Sequence, residues 1–573
     1  MPKDRRVHKT LAMKKLLTFF AFFLITPIAL PAQAQNVGTA ASAHPEATKA
    51  GFEILQAGGS AADAAMAMML ALTVVEPQSS GIGGGGFLLH HDGDRGWIET
   101  IDGREMAPSS TKVDRFLDKD GKPEGFRASV PGGKSVGVPG NMRLMEMAHR
   151  KWGKLPWERL FEPAIRLAEQ GYAVSNPQSD WMKRLAPLWV GFPEMQQLYW
   201  RDGAPATPGT IIKNPELGKL LRDLQAGGAD AFYTGETAAA ISAAVANAPA
   251  NKAAISVDDF ANYKAKQRAP VCSMYRAYKI CGMGPPSSGG TTVQQILGML
   301  ERFDMKAIGP DNAKSWHLIA EAMRLAYADR EKYLADRDFV SVPVAGLIDP
   351  AYVGKRSKMI SARRARNSYL AGNPPGAERR TAAISSEVAG TTHFTAVDSE
   401  GNIANMTSTV EGPFGSQLLA RGMVLNNELT DFTFAPEKDG APVANRVEAG
   451  KRPLSSMSPT IVYNAQNEPV LALGSAGGKR IIMHVTKTLI GVIDYGLTLE
   501  QAMALPNIYF RRDKVLIEGA SDLTKLQADI ASFGHVVDTS GLPSKLAGAQ
   551  KTDKGWVGAV DPRSTGQAVS ELP

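Results

Sequence analysis

VAGTTHFTAVDSEGN, residues 388–402, marks an abrupt change of character in the chain. Upstream, AGNPPGAERRTAAISSEVAG (371–390) is rich in Pro, Gly, Arg and Ser and has no apolar period. That composition describes an exposed, mobile segment. From Thr391 onward, TTHFTAVDSEGNIANMTSTVEGPFG alternates as two strands joined by an Asp398-Ser-Glu-Gly-Asn402 turn, a hairpin signal. A loose linker thus ends in Gly390-Thr391, with a strand beginning on the next letter.

Working outward, residues 45–77 (PEATKAGFEILQAGGSAADAAMAMMLALTVVEP) read as two helical stretches broken at Gly58-Gly59. The second is almost wholly apolar, as in a helix buried on most sides of a layered fold. GIGGGGF (81–87) and the residues after it predict a glycine-rich loop and two short strands. Helical patterns alternate with Pro/Gly turns between Pro139 and Arg330, and further strands are expected in SPTIVYN, EPVLALGSAGG and DKVLIEG. No repeat of fixed period is apparent.

The chain has 573 residues, 44% hydrophobic and 21% charged, which allows a sizeable core in one large layered domain or several smaller ones. Residues 1–34 combine a basic start, an apolar run from Leu16 to Leu30 and an Ala-Gln-Ala end, the pattern of a cleavable secretory signal. An exported protein, periplasmic or secreted, is expected, and no later segment competes as a membrane helix. Removing the leader takes away six Lys/Arg and one Asp, so the formal charge falls from +7 to +2. Without a concentrated basic surface, nucleic-acid binding is set aside. Cys272 and Cys281 would face each other across a hairpin turning near Arg276-Ala277, within disulfide reach, although spacing alone leaves two free thiols open.

Several motifs fail on inspection. GIGGGGF lacks the dinucleotide fingerprint and the Walker spacing, and LGSAGGKR has Leu473 and Arg480 where a phosphate loop needs Gly and Ser/Thr. The nine histidines are scattered without a His-Glu-x-x-His, so no metal or cofactor is expected. PPSSGGTT (285–292) lacks the strand-turn-helix setting of a nucleophile elbow.

Cutting before Thr391 would place a hydroxyl and an α-amine on one residue. An α-amine has a pKa of about 7.7–8.0, so nucleophile and base arrive together. Gly390 can take the backbone geometry that attack on its own carbonyl requires. The dipeptide alone reads equally as an ordinary strand start, since Thr is a common strand residue.

The surrounding motifs decide between these. GIGGGGF, DGREMAP, PPSSGG, TTHFTAVDSEGN, NNELTDF, KRPLSSMSPT, GSAGG and VDPR occur in one order through most of the chain. In this the sequence resembles the γ-glutamyltransferases, within the N-terminal-nucleophile hydrolases. The resemblance implies an α+β fold, a four-layer αββα sandwich, and self-cleavage into a large chain (35–390) and a small chain (391–573) that form a heterodimer. Thr391 would be the nucleophile, Thr409 its hydrogen-bond partner, and Gly477 and Gly478 the oxyanion hole. Arg104, Ser455 and Ser456 match the groups that hold the donor's α-carboxylate, while Glu411, Glu428 and Asp431 match those that hold its α-ammonium. One branch of the family carries Asn and Gln at the positions of Glu411 and Glu428, and a bacterial branch carries the same glutamates.

The implied activity transfers a γ-glutamyl group from glutathione or related donors to water or to amino-acid and peptide amines. The alternative is a cephalosporin (glutaryl) acylase of the same fold, whose substrate has no α-ammonium for Asp431 to hold. The lid stretch, residues 433–450, contains no Tyr or Trp, which leaves room for donors as large as poly-γ-glutamyl chains.

Overall fold

The Gly58-Gly59 break separates helices Pro45–Gln56 and Ala61–Val75 in a computed structural model that describes residues 37–383 and 390–571. The leader expected at residues 1–34 lies outside the described residues. Ser60 starts the second helix by a reciprocal cap: its hydroxyl accepts the Asp63 N–H at 3.1 Å, and its own N–H donates to Asp63 Oδ2 at 3.0 Å. Every residue of that helix is buried, as its apolar composition requires.

Two sheets stand between layers of helices. Among the described residues the first has seven strands, in the order Gln567–Glu571, Gly38–Ser42, Thr392–Asp398, Ile403–Thr409, Gly85–Asp92, Trp97–Gly103 and Lys266–Arg268. The second has six: Gly555–Val560, Ala547–Thr552, Pro469–Gly474, Thr460–Tyr463, Tyr278–Gly282 and Val271–Tyr275. Side-chain alternation fixes the layering. Phe394 and Ala396 pack with the helices of residues 45–75, whereas Val397 joins the core shared with the second sheet. Leu88 and its neighbours Phe87 and Leu89 divide the same way. Helices Gly289–Leu300, Ala313–Tyr333 and Arg480–Ile493 cover the far side of the second sheet, completing the expected αββα order.

Between the sheets lies a polar seam. His393 contacts Thr407 Oγ1 at 2.8 Å and Asn405 Oδ1 at 2.9 Å, and Asn405 Nδ2 donates to the carbonyls of Thr460 and Leu473 at 3.1 and 3.0 Å. Burial pushes the His393 pKa down to about 3, so the imidazole is a neutral strut. The seam ties the strand that begins beside Thr391 to both sheets.

The hairpin of Val271–Tyr275 and Tyr278–Gly282 pairs Cys272 with Cys281, and the two are joined as a disulfide. Residues 371–383 differ from the loose linker expected. Their backbone is irregular, but Thr381 bridges to Val443, the Ala383 N–H donates to the Glu331 carbonyl at 3.2 Å, and Ala377 packs on the second core. The remainder of the linker, residues 384–389, lies outside the described residues.

Candidate active site

The strand Thr392–Asp398 pairs antiparallel with Ile403–Thr409, so Thr391 and Thr409 meet at one end of the ladder. The Thr391 hydroxyl, in a side chain only 4% exposed, donates to the carbonyl of Gly390, the residue just upstream. Thr409 Oγ1 donates to the same carbonyl at 2.8 Å, lies 3.5 Å from Thr391 Oγ1 and accepts the Glu411 N–H at 2.7 Å. Two hydroxyls therefore converge on one peptide carbonyl, which polarises its carbon. Gly390 is needed here for space: a methyl group would overlap the Glu411 carbonyl oxygen.

The Gly474–Gly478 turn follows the strand Pro469–Gly474. Gly477 and Gly478 have φ of 133° and 62°, values that favour glycine and turn successive N–H groups along an unusual path. The turn is pinned from three sides: Ser475 Oγ lies 3.0 Å from His484 Nδ1, Arg480 Nε donates to the Gly477 carbonyl at 3.3 Å, and the Ile481 N–H to the Gly478 carbonyl at 3.0 Å. Helix Arg480–Ile493 begins at once, with its positive dipole end at the turn.

A cavity of about 30 Å³ opens beside these groups, with Thr391, Thr409 and Gly478 on its wall. Arg104 reaches into it from the loop after strand Trp97–Gly103. Its guanidinium bonds Glu428, Asp431 Oδ2 at 2.6 Å, and the carbonyls of Pro453 (3.2 Å) and Leu454 (3.0 Å). Burial alone would lower the Arg104 pKa, but the charges of Glu428, Asp431 and Glu105 outweigh it and hold the cation above its ordinary value. Burial raises Glu411 and Glu428 well above the usual carboxylate range, with Asp431 adding like-charge repulsion to both. The arginine expected on the carboxylate side and the acids expected on the ammonium side thus adjoin.

Ser455 and Ser456 form the other wall, held from behind by residues that sequence reasoning missed. Arg330 donates to Ser456 Oγ at 2.8 Å and to Ser288 Oγ at 2.9 Å, and Ser288 Oγ donates to the Ser455 carbonyl at 2.7 Å. Lys479 donates to Glu331 Oε1 at 2.7 Å beside them. A serine hydroxyl that accepts from a guanidinium directs its own proton elsewhere, toward an anionic ligand. Glu105, 3.7 Å from Arg104 Nη1, was missed as well, and burial raises its pKa to about 7. The lining thus brings together the basic groups Arg104, Arg330 and Lys479 and the acids Glu411, Glu428 and Asp431.

No residue of the 433–450 stretch lines this cavity. That stretch closes on itself: the Thr433 N–H donates to the Asn445 carbonyl at 2.8 Å, Asn445 Nδ2 donates to the Asp431 carbonyl at 2.8 Å, and Phe434 stacks on Phe116. Among the described residues no group of three His, Cys, Asp or Glu is placed to hold a metal.

The family profile described as Gamma-glutamyltranspeptidase matches residues 47–571. A glutathione hydrolase proenzyme of Bacillus subtilis (strain 168) is 37% identical over 485 residues, covering 82% of this chain and 80% of the relative. One from Escherichia coli (strain K12) is 35% identical over 541 residues, covering 92% and 90%. The crystal structure of a cephalosporin acylase from Bacillus halodurans superposes with a TM-score of 0.82 at 24% identity, covering 96% of this chain and 99% of that one, a likeness of fold.

Proposed function

Because the chain belongs to the gamma-glutamyltranspeptidase family, we propose that it is a precursor that cuts itself between Gly390 and Thr391 and then works as a γ-glutamyltransferase and glutathione hydrolase. In the first step the Thr391 oxygen adds to the Gly390 carbonyl carbon, the C–N bond breaks and an ester forms, its amine taking the hydroxyl proton. Water then hydrolyses the ester, leaving a carboxylate on Gly390 and a free amine on Thr391. The observation that carries this reading is the convergence of the Thr391 and Thr409 hydroxyls on the Gly390 carbonyl.

Catalysis reuses the same atoms. The freed Thr391 amine takes the hydroxyl proton as Oγ attacks the donor's γ-carbonyl, α-amines ordinarily titrating at about 7.7–8.0. Negative charge on that oxygen falls to the N–H groups of Gly477 and Gly478. The proton passes to the departing amine, a γ-glutamyl ester of Thr391 remains, and water or an amino-acid or peptide amine releases the product. Arg104, Ser455 and Ser456 take the α-carboxylate, and Asp431, Glu411 and Glu428 the α-ammonium. Their shared ion pairs support one compact site for both charges, since the guanidinium and the acids stay fixed when the zwitterion arrives. The 1–34 leader places the enzyme outside the cytoplasm, and residues 35–390 and 391–573 stay together as two chains.

The acylase alternative is tested by comparing γ-glutamyl- and glutaryl-p-nitroanilide. A site built to bond an ammonium should prefer the γ-glutamyl compound by about 100-fold or more in kcat/KM, since the glutaryl compound offers its acids no N–H to bond. Equal or better use of the glutaryl compound would replace this reading with the acylase one.

A further inference from the structure

The overall charge of the chain conceals a local excess. Residues 350–377 hold six Lys/Arg and no acid, whereas the chain after residue 34 totals only +2, so everything else in it sums to −4. That total gave no reason to expect a basic surface, yet the fold makes one. Helix Pro350–Ser357 and the irregular strap that follows it, residues 358–372, lie against helix Ala313–Tyr333, on the far side of the second sheet.

The strap is fastened by its backbone. The Ala365 N–H donates to the Phe533 carbonyl at 2.6 Å, the Arg366 N–H to Glu321 Oε2 at 3.1 Å and the Gly372 N–H to Asp329 Oδ1 at 2.7 Å. From beneath, Arg324 donates to the Asn367 carbonyl at 2.9 Å and Arg356 to the Leu370 carbonyl at 3.0 Å. The acids under the strap are already engaged: Glu321 is buried against Arg324 and Tyr369, and Asp329 against Arg356 and Tyr352. The exposed charge is therefore all of one sign. Lys355, Lys358, Arg363, Arg364 and Arg366 are exposed, and none has an ion-pair partner among the described residues. Just after them in the chain, Leu370 is 83% exposed.

We propose that this strap is a docking surface for an anionic lipid bilayer, with its cations on the phosphate headgroups and Leu370 in the apolar boundary below them. Lys/Arg clusters of this size are drawn to a negatively charged bilayer, each cation strengthening binding about fivefold. An exposed leucine adds apolar insertion to that attraction. Single-stranded nucleic acid would want aromatic faces on which its bases stack. Both tyrosines of 350–377 are instead bonded inward, Tyr352 to Asp329 and Tyr369 to Glu321. With the backbone already fixed, little further ordering is required on binding. The inference is independent of the γ-glutamyl reading, since it concerns where the protein resides and not what Thr391 does.

The test is co-sedimentation of the exported protein, purified without its leader, with vesicles of phosphatidylglycerol and phosphatidylcholine or of phosphatidylcholine alone. Wild type should sediment with the mixed vesicles at low salt and stay in solution with the neutral ones. It should be released at about 1 M salt, where the screening length is about 3 Å. Arg363→Gln/Arg364→Gln/Arg366→Gln should bind about 100-fold more weakly, and Arg363→Lys/Arg364→Lys/Arg366→Lys should restore binding. Leu370→Ser should weaken it severalfold. All three variants should keep the wild-type melting temperature, and if the glutamine variant does not fold, Lys355→Gln/Lys358→Gln takes its place. Failure of wild type to sediment with the mixed vesicles, equal sedimentation with the neutral ones, or binding that survives in the glutamine variant would overturn the assignment. Binding to double-stranded DNA as tight as to the mixed vesicles, and indifferent to Leu370→Ser, would overturn it too and give the strap to nucleic acid.

Discussion

In the proposed self-cleavage the reacting centre is the Gly390 carbonyl, and Thr409, whose hydroxyl donates to it at 2.8 Å, would polarise it without becoming the nucleophile. Removing one preorganised donor from a developing oxyanion typically slows a reaction by about 10²–10³-fold. Thr409→Ala should therefore slow appearance of the small chain by about that factor, followed on denaturing gels after synthesis. Self-cleavage at the wild-type rate would show that the 2.8 Å bond from Thr409 is not used. At this scale the sequence was informative in chemistry and silent on packing. Thr391 stood out because a hydroxyl followed a linker and opened a strand, but the need for Gly390 was legible only in part. Its lack of a side chain matters because the Glu411 carbonyl crowds it, and that contact spans a turn and two strands. Arg330 was hidden for a similar reason. Within AEAMRLAYADREKY it reads as one more charge on a helix, and only the packing of helix Ala313–Tyr333 against the Ser455-Ser456 loop turns it inward.

Elements with local determinants came out close to expectation. Gly58-Gly59 ends one helix because glycine has the least to gain from helical order, and the Ser60–Asp63 cap starts the next. The Cys272–Cys281 hairpin followed from spacing and turn position. It sits at the edge of the second sheet, away from Thr391, and closes a short loop, so its effect should be on stability alone. Removing a link of this size from the unfolded state costs about 2–3 kcal/mol in the chain-entropy account. The Cys272→Ser/Cys281→Ser double variant should accordingly melt several degrees lower in calorimetry while still cleaving itself. An unchanged melting temperature would mean that sheet pairing already supplies that constraint. Residues 371–383 were the element misread: a composition without apolar period signals weak self-association, yet a few bonds to Glu331 and Val443 suffice to dock the backbone.

Across the whole molecule, the precursor's topology makes sense of a cut in the middle of a domain. The strand that starts at Thr392 lies between Gly38–Ser42, from before the cut, and Ile403–Thr409, from after it, and Ile403–Thr409 in turn pairs with Gly85–Asp92. Strands from both sides of residue 390 are interleaved within one sheet, so breaking one peptide bond leaves the shared core intact. The four-layer architecture could be expected from the motifs. The cavity of about 180 Å³ on the Gly477 side of Thr391 could not, because Glu76, Trp181, Gly477, Arg480 and Lys545 come together only in three dimensions. The central claim is that this architecture exists to free the amine of Thr391. It is tested most directly by intact-mass measurement of the purified protein and of Thr391→Ala. Wild type should appear as two chains, the smaller beginning at Thr391, and Thr391→Ala as one uncut and inactive chain; an uncut wild type with full γ-glutamyl activity would contradict the account.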